Sequence, residues 1–204
     1  MAKIINTAIK KEVTKEEFEK LYNSFIEEIQ QSENPDQITQ ILVEYTKALT
    51  PAKMVHVFEL KQNHLQTKIQ DDIVSIKLDN EKGLIGRCLK TQEPQVTNDI
   101  RRDPYYDENI DNTFSYELKN LLIMPLFDEE KKLKALIWAG IPKNDINQFI
   151  AKDIKYLQKL TSAVPASISL LAQKDSISDN LLDEESRNTT FFKKISSIFS
   201  RLKK

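Results

Sequence analysis

Residues 83–126 constrain this chain more than any other stretch. A short apolar helix is predicted over 83–91, opened by Gly83 and Gly86, with Leu84, Ile85, Cys88 and Leu89 on one face. Glu93-Pro94 then makes a turn, 95–100 a short strand and 121–126 a strongly apolar strand. Between the strands lies a polar loop, 101–117. Loops that long in a compact domain are as a rule either functional or without structure of their own. This one carries Tyr105, Tyr106, Phe114 and Tyr116, so it has apolar groups to bury. The expectation is a lid over a small-molecule cavity.

Composition sets the surroundings of that lid. The 204 residues suit one medium domain plus tails, with 40% hydrophobic and 30% charged side chains. Thirty basic against 31 acidic residues argue against a nucleic-acid binder, so an electrostatic partner needs a local patch. One cysteine excludes an internal disulfide. No apolar run approaches the roughly 18 residues of a membrane span, and MAKIINTAIKKEV lacks the apolar core of a signal peptide. Cytoplasmic residence is the expectation.

The chain starts helical. Thr14 and Glu17 have capping-box spacing, and Phe18, Leu21, Tyr22, Phe25, Ile26 and Ile29 share a stripe over 14–31. Asn34-Pro35 opens a second helix with Ile38, Ile41, Leu42, Tyr45 and Leu49 on its apolar face, and Pro51 stops it. The period then changes to two. Residues 53–60, 65–70 and 73–78 read as a three-strand meander with a tight turn at Gln62-Asn63. The most apolar strands, 121–126 and 133–141, are joined by the charged stretch 128–132. A long helix is predicted over 149–173, kinked or gapped at Pro165. Helices at both ends of grouped strands predict an α+β domain. Its antiparallel sheet should carry the terminal helices on one face and the loop with the short helix on the other. The division expected is an N-terminal amphipathic helix in 1–34, a domain over 35–173, an acidic linker over 174–188 and a C-terminal helix over 189–204.

The order and certain residues resemble the GAF family of bacterial and eukaryotic sensor domains. The resemblance rests on Gly83-Leu84-Ile85-Gly86-Arg87, then Thr91-Gln92-Glu93-Pro94, Asp99 and Asp103-Pro104-Tyr105. Residues 121–126 are similar to the family's "S-L-L-x-x-P-L" strand, with Asn120 in place of Ser. Phe149-x-x-x-Asp153 resembles its "F-x-x-x-D" helix start, with Ile154 where Glu often follows and Lys143-Asn144 in reversed order upstream. The resemblance spans roughly 35–173 and implies the GAF fold. It also narrows the function by exclusion. Bilin attachment uses a cysteine near a histidine, and Cys88 has none beside it. GAF-type methionine sulfoxide reductases use several cysteines, and cyclic-nucleotide binding goes with the unbroken motif. Catalytic residues are therefore not expected.

Ligand-contacting residues expected under the 95–118 loop are Phe58, Ile85, Asp99, Asp103, Tyr105, Tyr106, Phe114, Tyr116 and Met124. Asp99 and Asp103 either bind a ligand amine or cap turns around Pro104. The four loop aromatics either line a pocket or fix the loop down. His56 and His64, with Cys88, match no common zinc spacing, so no metal site is expected. Cys88 reads as a small buried apolar residue.

The tail FFKKISSIFSRLKK carries a second signal. Phe191, Phe192, Ile195, Ile198, Phe199 and Leu202 form one stripe, and Lys193, Lys194, Arg201, Lys203 and Lys204 stand there without an acid. Such a basic amphipathic helix docks on an anionic membrane surface or a signalling protein, or folds back on its own domain. The first expectation is a non-enzymatic sensory module that binds a small ligand, pairs as a homodimer through its terminal helices and signals through this tail, peripheral to the inner face of the membrane. The alternative is a dimeric interaction scaffold with no ligand.

Overall fold

The computed structural model describes residues 10, 12–32, 34–62, 64–69, 72–78 and 82–165. The linker and basic helix expected over 174–204 lie outside them.

Two capped helices lead. In α1 (Lys15–Gln31) the Thr14 hydroxyl accepts the Glu17 N–H at 3.1 Å while Glu17 accepts the Thr14 N–H at 2.7 Å. In α2 (Pro35–Leu49) Asn34 accepts the Gln37 N–H at 3.0 Å. The far end of α2 is closed from outside the helix. The Lys10 ammonium donates to the carbonyls of Lys47 at 2.9 Å and Ala48 at 2.8 Å, and also to that of Thr50, where the helix dipole favours a cation.

Six strands follow: β1 (Met54–Lys61), β2 (His64–Ile69), β3 (Asp72–Lys77), β4 (Gln95–Thr97), β5 (Leu118–Phe127) and β6 (Leu133–Pro142). They form one antiparallel sheet in the order β3-β2-β1-β6-β5-β4. Residue 62, with φ 47°, turns β1 into β2, and residue 131, with φ 59°, turns β5 into β6. The register sets Phe58 against Leu136, His56 against Trp138, and Trp138 against Ile123. Side chains alternate between faces along a strand. Phe58, Leu65, Leu121, Ile123, Leu136 and Trp138 therefore share one buried face with α3 (Gly83–Thr91). Val57, Leu122, Met124, Ile137 and Ala139 point the other way, toward α2 and α5 (Ala151–Thr161).

The structure is α+β with the expected division of faces. α1 packs on α2 and α5. Phe18 stacks on Tyr156 of α5 at 4.0 Å between ring centres, and Phe25 meets Tyr45 of α2 edge-on at 5.2 Å. Certain elements bear directly on the site. The strand over 95–100 stops at Thr97, because the Asn98 side chain leaves the sheet to bracket Phe149, bonding its carbonyl and its N–H at 2.9 Å each. α5 ends at Thr161, ahead of the kink or gap expected at Pro165, because a proline disfavours helical backbone in the residue before it and has no N–H of its own to give; the rest of the expected helix, 166–173, lies outside the described residues. The 101–117 loop contains a turn of helix, α4 (Glu108–Asp111), capped by Asp107.

Candidate functional site

The loop is held by two consecutive side chains. Asp111 is 1% exposed, and its carboxylate accepts the N–H groups of Leu84 at 2.8 Å, Ile85 at 2.9 Å and Asp107 at 2.9 Å. Leu84 and Ile85 are the opening residues of α3, whose own N-cap, Lys82, supplies no side-chain cap. A helix start leaves N–H groups without partners, and here a carboxylate 27 residues away along the chain satisfies them. Gly83, with φ +75°, makes the approach possible, since a Cβ there would stand 2.6 Å from Asp111 Oδ1. The carbonyl of Asp111 accepts the Trp138 indole N–H at 2.7 Å, so the residue ties the loop to the sheet as well. Burial pushes its carboxyl up to about 6, against the pull of its three N–H donors. Next to it, buried Asn112 donates to the Tyr116 carbonyl and accepts the Tyr116 N–H, both at 2.9 Å. That pair fixes the returning arm of the loop.

Under this arm the sheet presents an aromatic floor. The Phe114 ring centre lies 4.2 Å from that of His56, 5.9 Å from Phe58 and 6.0 Å from Trp138, the last edge-on. Tyr116 lies 5.8 Å from His56 in a nearly parallel plane, with its hydroxyl 3.1 Å from His56 Nε2. Burial, with a smaller push from the Lys47 charge, lowers His56 to about 4, so the imidazole is neutral at pH 7.

Of the residues expected at the site, Phe58, Ile85, Phe114 and Tyr116 meet here, with Tyr106 packed at the margin. Tyr106 donates to Glu108 at 2.9 Å, and burial with that neighbouring carboxylate raises its pKa. Tyr105 is 56% exposed, outside the floor, beneath the Arg87 guanidinium at 4.0 Å. Asp99 and Asp103 are engaged in turns: Asp99 accepts the Arg101 N–H at 3.2 Å and Asp103 the Tyr105 N–H at 2.9 Å. The Arg101 guanidinium holds Asp99 below its usual range. Met124 does not belong with the others. Its register partner is Ile137, so it faces the helical layer and lines a small cleft of about 180 Å³ with Pro94, Phe127 and Pro165. A larger cleft, about 400 Å³, lies between Lys10, Leu49, Ile146 and Asp153, where the Asp153 carboxylate accepts the Ile150 N–H at 3.0 Å. Lys10 and Lys152 are the cations whose charge reaches Asp153. Neither cleft lies beneath the loop.

Asp111, Asn112, His56 and Trp138 are the residues that sequence reasoning missed. One signal pointed to Asp111: a helix opened by Lys82-Gly83 has no N-cap side chain, so the cap has to come from elsewhere. Cys88 is fully buried in the core beside Leu84 and Ile85, and burial pushes its thiol up to about 12. Among the described residues, no group of three His, Cys, Asp or Glu side chains could hold a metal ion, and no helix is long and apolar enough to cross a membrane.

Solved structures share this architecture. The GAF domain of a phosphoenolpyruvate-protein phosphotransferase from Coxiella burnetii matches with TM-score 0.59 at 12% identity, over 79% of this chain and 96% of that one. A free methionine-R-sulfoxide reductase from Neisseria meningitidis, in complex with its substrate, matches with TM-score 0.60 at 13% identity, over 82% and 99%. The GAF domain of a two-component sensor histidine kinase from Bacillus halodurans matches with TM-score 0.55 at 17% identity, over 71% and 99%. At these identities the likeness shows the fold alone. No curated protein matches the chain. The GAF domain family model matches residues 34–168, most of the chain, and the protein therefore belongs to the GAF domain family.

Proposed function

We propose that this GAF domain is a non-enzymatic sensory module that takes a small ligand between the aromatic floor of its sheet and the 101–117 loop. The observation that carries the reading is the floor itself: His56, Phe58 and Trp138 of the sheet converge with Phe114 and Tyr116 of the loop, and His56 and Tyr116 are bonded to each other. Apolar walls with a few placed polar groups are what small-ligand sites require. Thiol chemistry like that of a reductase is disfavoured, because Cys88 is the one cysteine of the chain and is held as a buried thiol. Native mass spectrometry after incubation with a small-molecule extract tests the proposal. The expected result is an adduct of metabolite size that Phe58→Arg abolishes. Bare protein under every condition would sink it.

A second reading has its own support. Phe114 sits ring against ring on His56, filling the space over the floor. That is what an interaction scaffold with no ligand would display. Either reading has the protein act as a homodimer, for which α1 offers Leu21, Tyr22 and Ile26, each half-buried beside the fully packed Phe18 and Phe25. Sedimentation at micromolar concentration should give a dimer in both cases, and only the sensory reading gives a ligand adduct.

A further inference from the structure

We propose that Asp111 is the latch of the 101–117 loop, and that the loop opens from the sheet as one unit when this side chain leaves the start of α3. The proposal rests on the reading of the loop as the cover of a ligand site, and it names the part that controls entry.

Most of the loop's bonds are internal. Asp103 holds the Tyr105 N–H, Asp107 the Asn109 N–H, Tyr106 bonds Glu108, and Asn112 brackets Tyr116. Such a segment can move without breaking them. The bonds that cross from α4 to the body of the domain converge on one residue: Leu84 N–H and Ile85 N–H to its carboxylate, Trp138 N–H to its carbonyl. Beyond it, Tyr116 adds the contact with His56, Arg87 of α3 lies over the Tyr105 ring at 4.0 Å, and at the loop's last residue the Glu117 carbonyl accepts the Lys143 N–H at 2.8 Å, which marks the hinge end.

The chemistry of the latch makes it releasable. Every group that bonds the Asp111 carboxylate is a neutral N–H, and the nearby charge of Asp107 has its own sign. A buried carboxylate without a cation keeps much of its desolvation cost. Opening returns it to water and offsets part of what the two bonds to α3 contribute. Fit alone does not require a carboxylate here, since an N-cap serine or asparagine at position 82 would satisfy α3 locally. Placing the cap on the loop couples the helix start, the loop and Trp138 in one event.

Amide exchange tests this without any ligand, so its outcome is independent of ligand retention. In the wild-type protein the N–H groups of Leu84 and Ile85 and the indole N–H of Trp138 should exchange together, through an opening that leaves the β1–β6 ladder protected. Asp111→Asn turns an NH₂ toward one of the N–H donors and should speed these three about tenfold to a hundredfold while the ladder changes far less. Gly83→Ala, which crowds the carboxylate from the other side, should speed the same three. If the three exchange only in step with the ladder, Asp111 is an ordinary structural cap and the proposal is wrong. The wild-type measurement decides the question even if neither variant folds. Unchanged exchange in a folded Asp111→Asn protein would overturn it equally.

Discussion

His56 and Tyr116 lie 60 residues apart in sequence, yet His56 Nε2 and the Tyr116 hydroxyl are 3.1 Å apart, with the two rings within 9° of parallel. The bond joins β1 to the returning arm of the loop. It also sets the polarity of the floor. A neutral imidazole carries one donor and one acceptor, so the ring can give or receive at Tyr116, and its other nitrogen takes the opposite role.

Tyr116→Phe removes this bond and keeps the ring. A neutral hydrogen bond contributes about 0.5–1.5 kcal/mol, which for a domain of this size is a melting temperature lower by roughly 2–5 °C. Phe114→Ala removes a half-buried ring that touches His56, Phe58 and Trp138, and should cost more, about 1–3 kcal/mol. Scanning calorimetry measures both. A Tyr116→Phe protein more destabilised than Phe114→Ala would mean that the hydroxyl, not ring packing, holds the arm.

Cys88 should be silent to thiol reagents in the folded state. It is fully buried, its thiol is pushed up to about 12, and the thiolate is the reactive form. Labelling by a chromogenic disulfide reagent should therefore follow the opening of the domain and become fast in denaturant. Rapid labelling in native buffer would contradict this picture of the α3 face.

How far the site was legible depends on which forces wrote it. Stripes at helical spacing and alternating runs reflect burial, so α1, α2, α3 and the meander could be read directly. The parity of β5 could not. Its sequence is LKNLLIMPLF, buried on both faces, and a strand of that kind reads as one continuous apolar run. The pairing with β6 also shifts register between Leu118 and Asn120, so Met124 ends on the helical face while Ile123 joins the floor. Trp138 lay hidden in a similar run on β6. Asp111 was illegible for another reason. Two of its N–H partners lie 26 and 27 residues away, in an element that gives no sequence sign of who caps it except the lack of a cap.

The basic tail provides a test outside the described residues. Burial of one large apolar side chain is worth roughly 1.5–3 kcal/mol, and each cation adds about 1 kcal/mol near an anionic leaflet. Phe191, Phe192, Ile195, Ile198, Phe199 and Leu202 with their flanking cations should give reversible binding after the cost of ordering the helix. The intact protein should pellet with anionic liposomes at low salt, and changing Lys193, Lys194 and Arg201 to Glu should abolish this with thermal stability unchanged. Failure of the intact protein to pellet ends the membrane proposal. A drop in stability on Phe199→Asp would then indicate a tail folded back on its own domain.

Buried Asp111 and half-buried His56 should pull stability in opposite directions over one pH window. His56 is lowered from 6.5 to about 4, so between those values the unfolded chain binds more protons at this residue. Its contribution is present above pH 6.5 and is lost as pH falls toward 4. Asp111 is raised from 3.8 to about 6, so over nearly the same window the folded chain binds more protons there. Its contribution is complete below 3.8 and is lost as pH rises through 6. Each shift corresponds to at most about 3 kcal/mol, and the two nearly cancel in the wild-type protein. Lys47 near His56 and Asp107 near Asp111 are the charges that add to burial in setting these values. Substitution should expose each slope alone. In Asp111→Asn the remaining His56 makes stability climb from about pH 4 to 6.5. In His56→Phe the remaining Asp111 makes stability fall as pH rises from about 4 to 6. Urea unfolding across this range measures both, and background from other carboxylates such as Asp99 and Asp128 is common to all three proteins. Slopes of the same sign in the two variants would show that at least one of these groups is not buried as the structure has it.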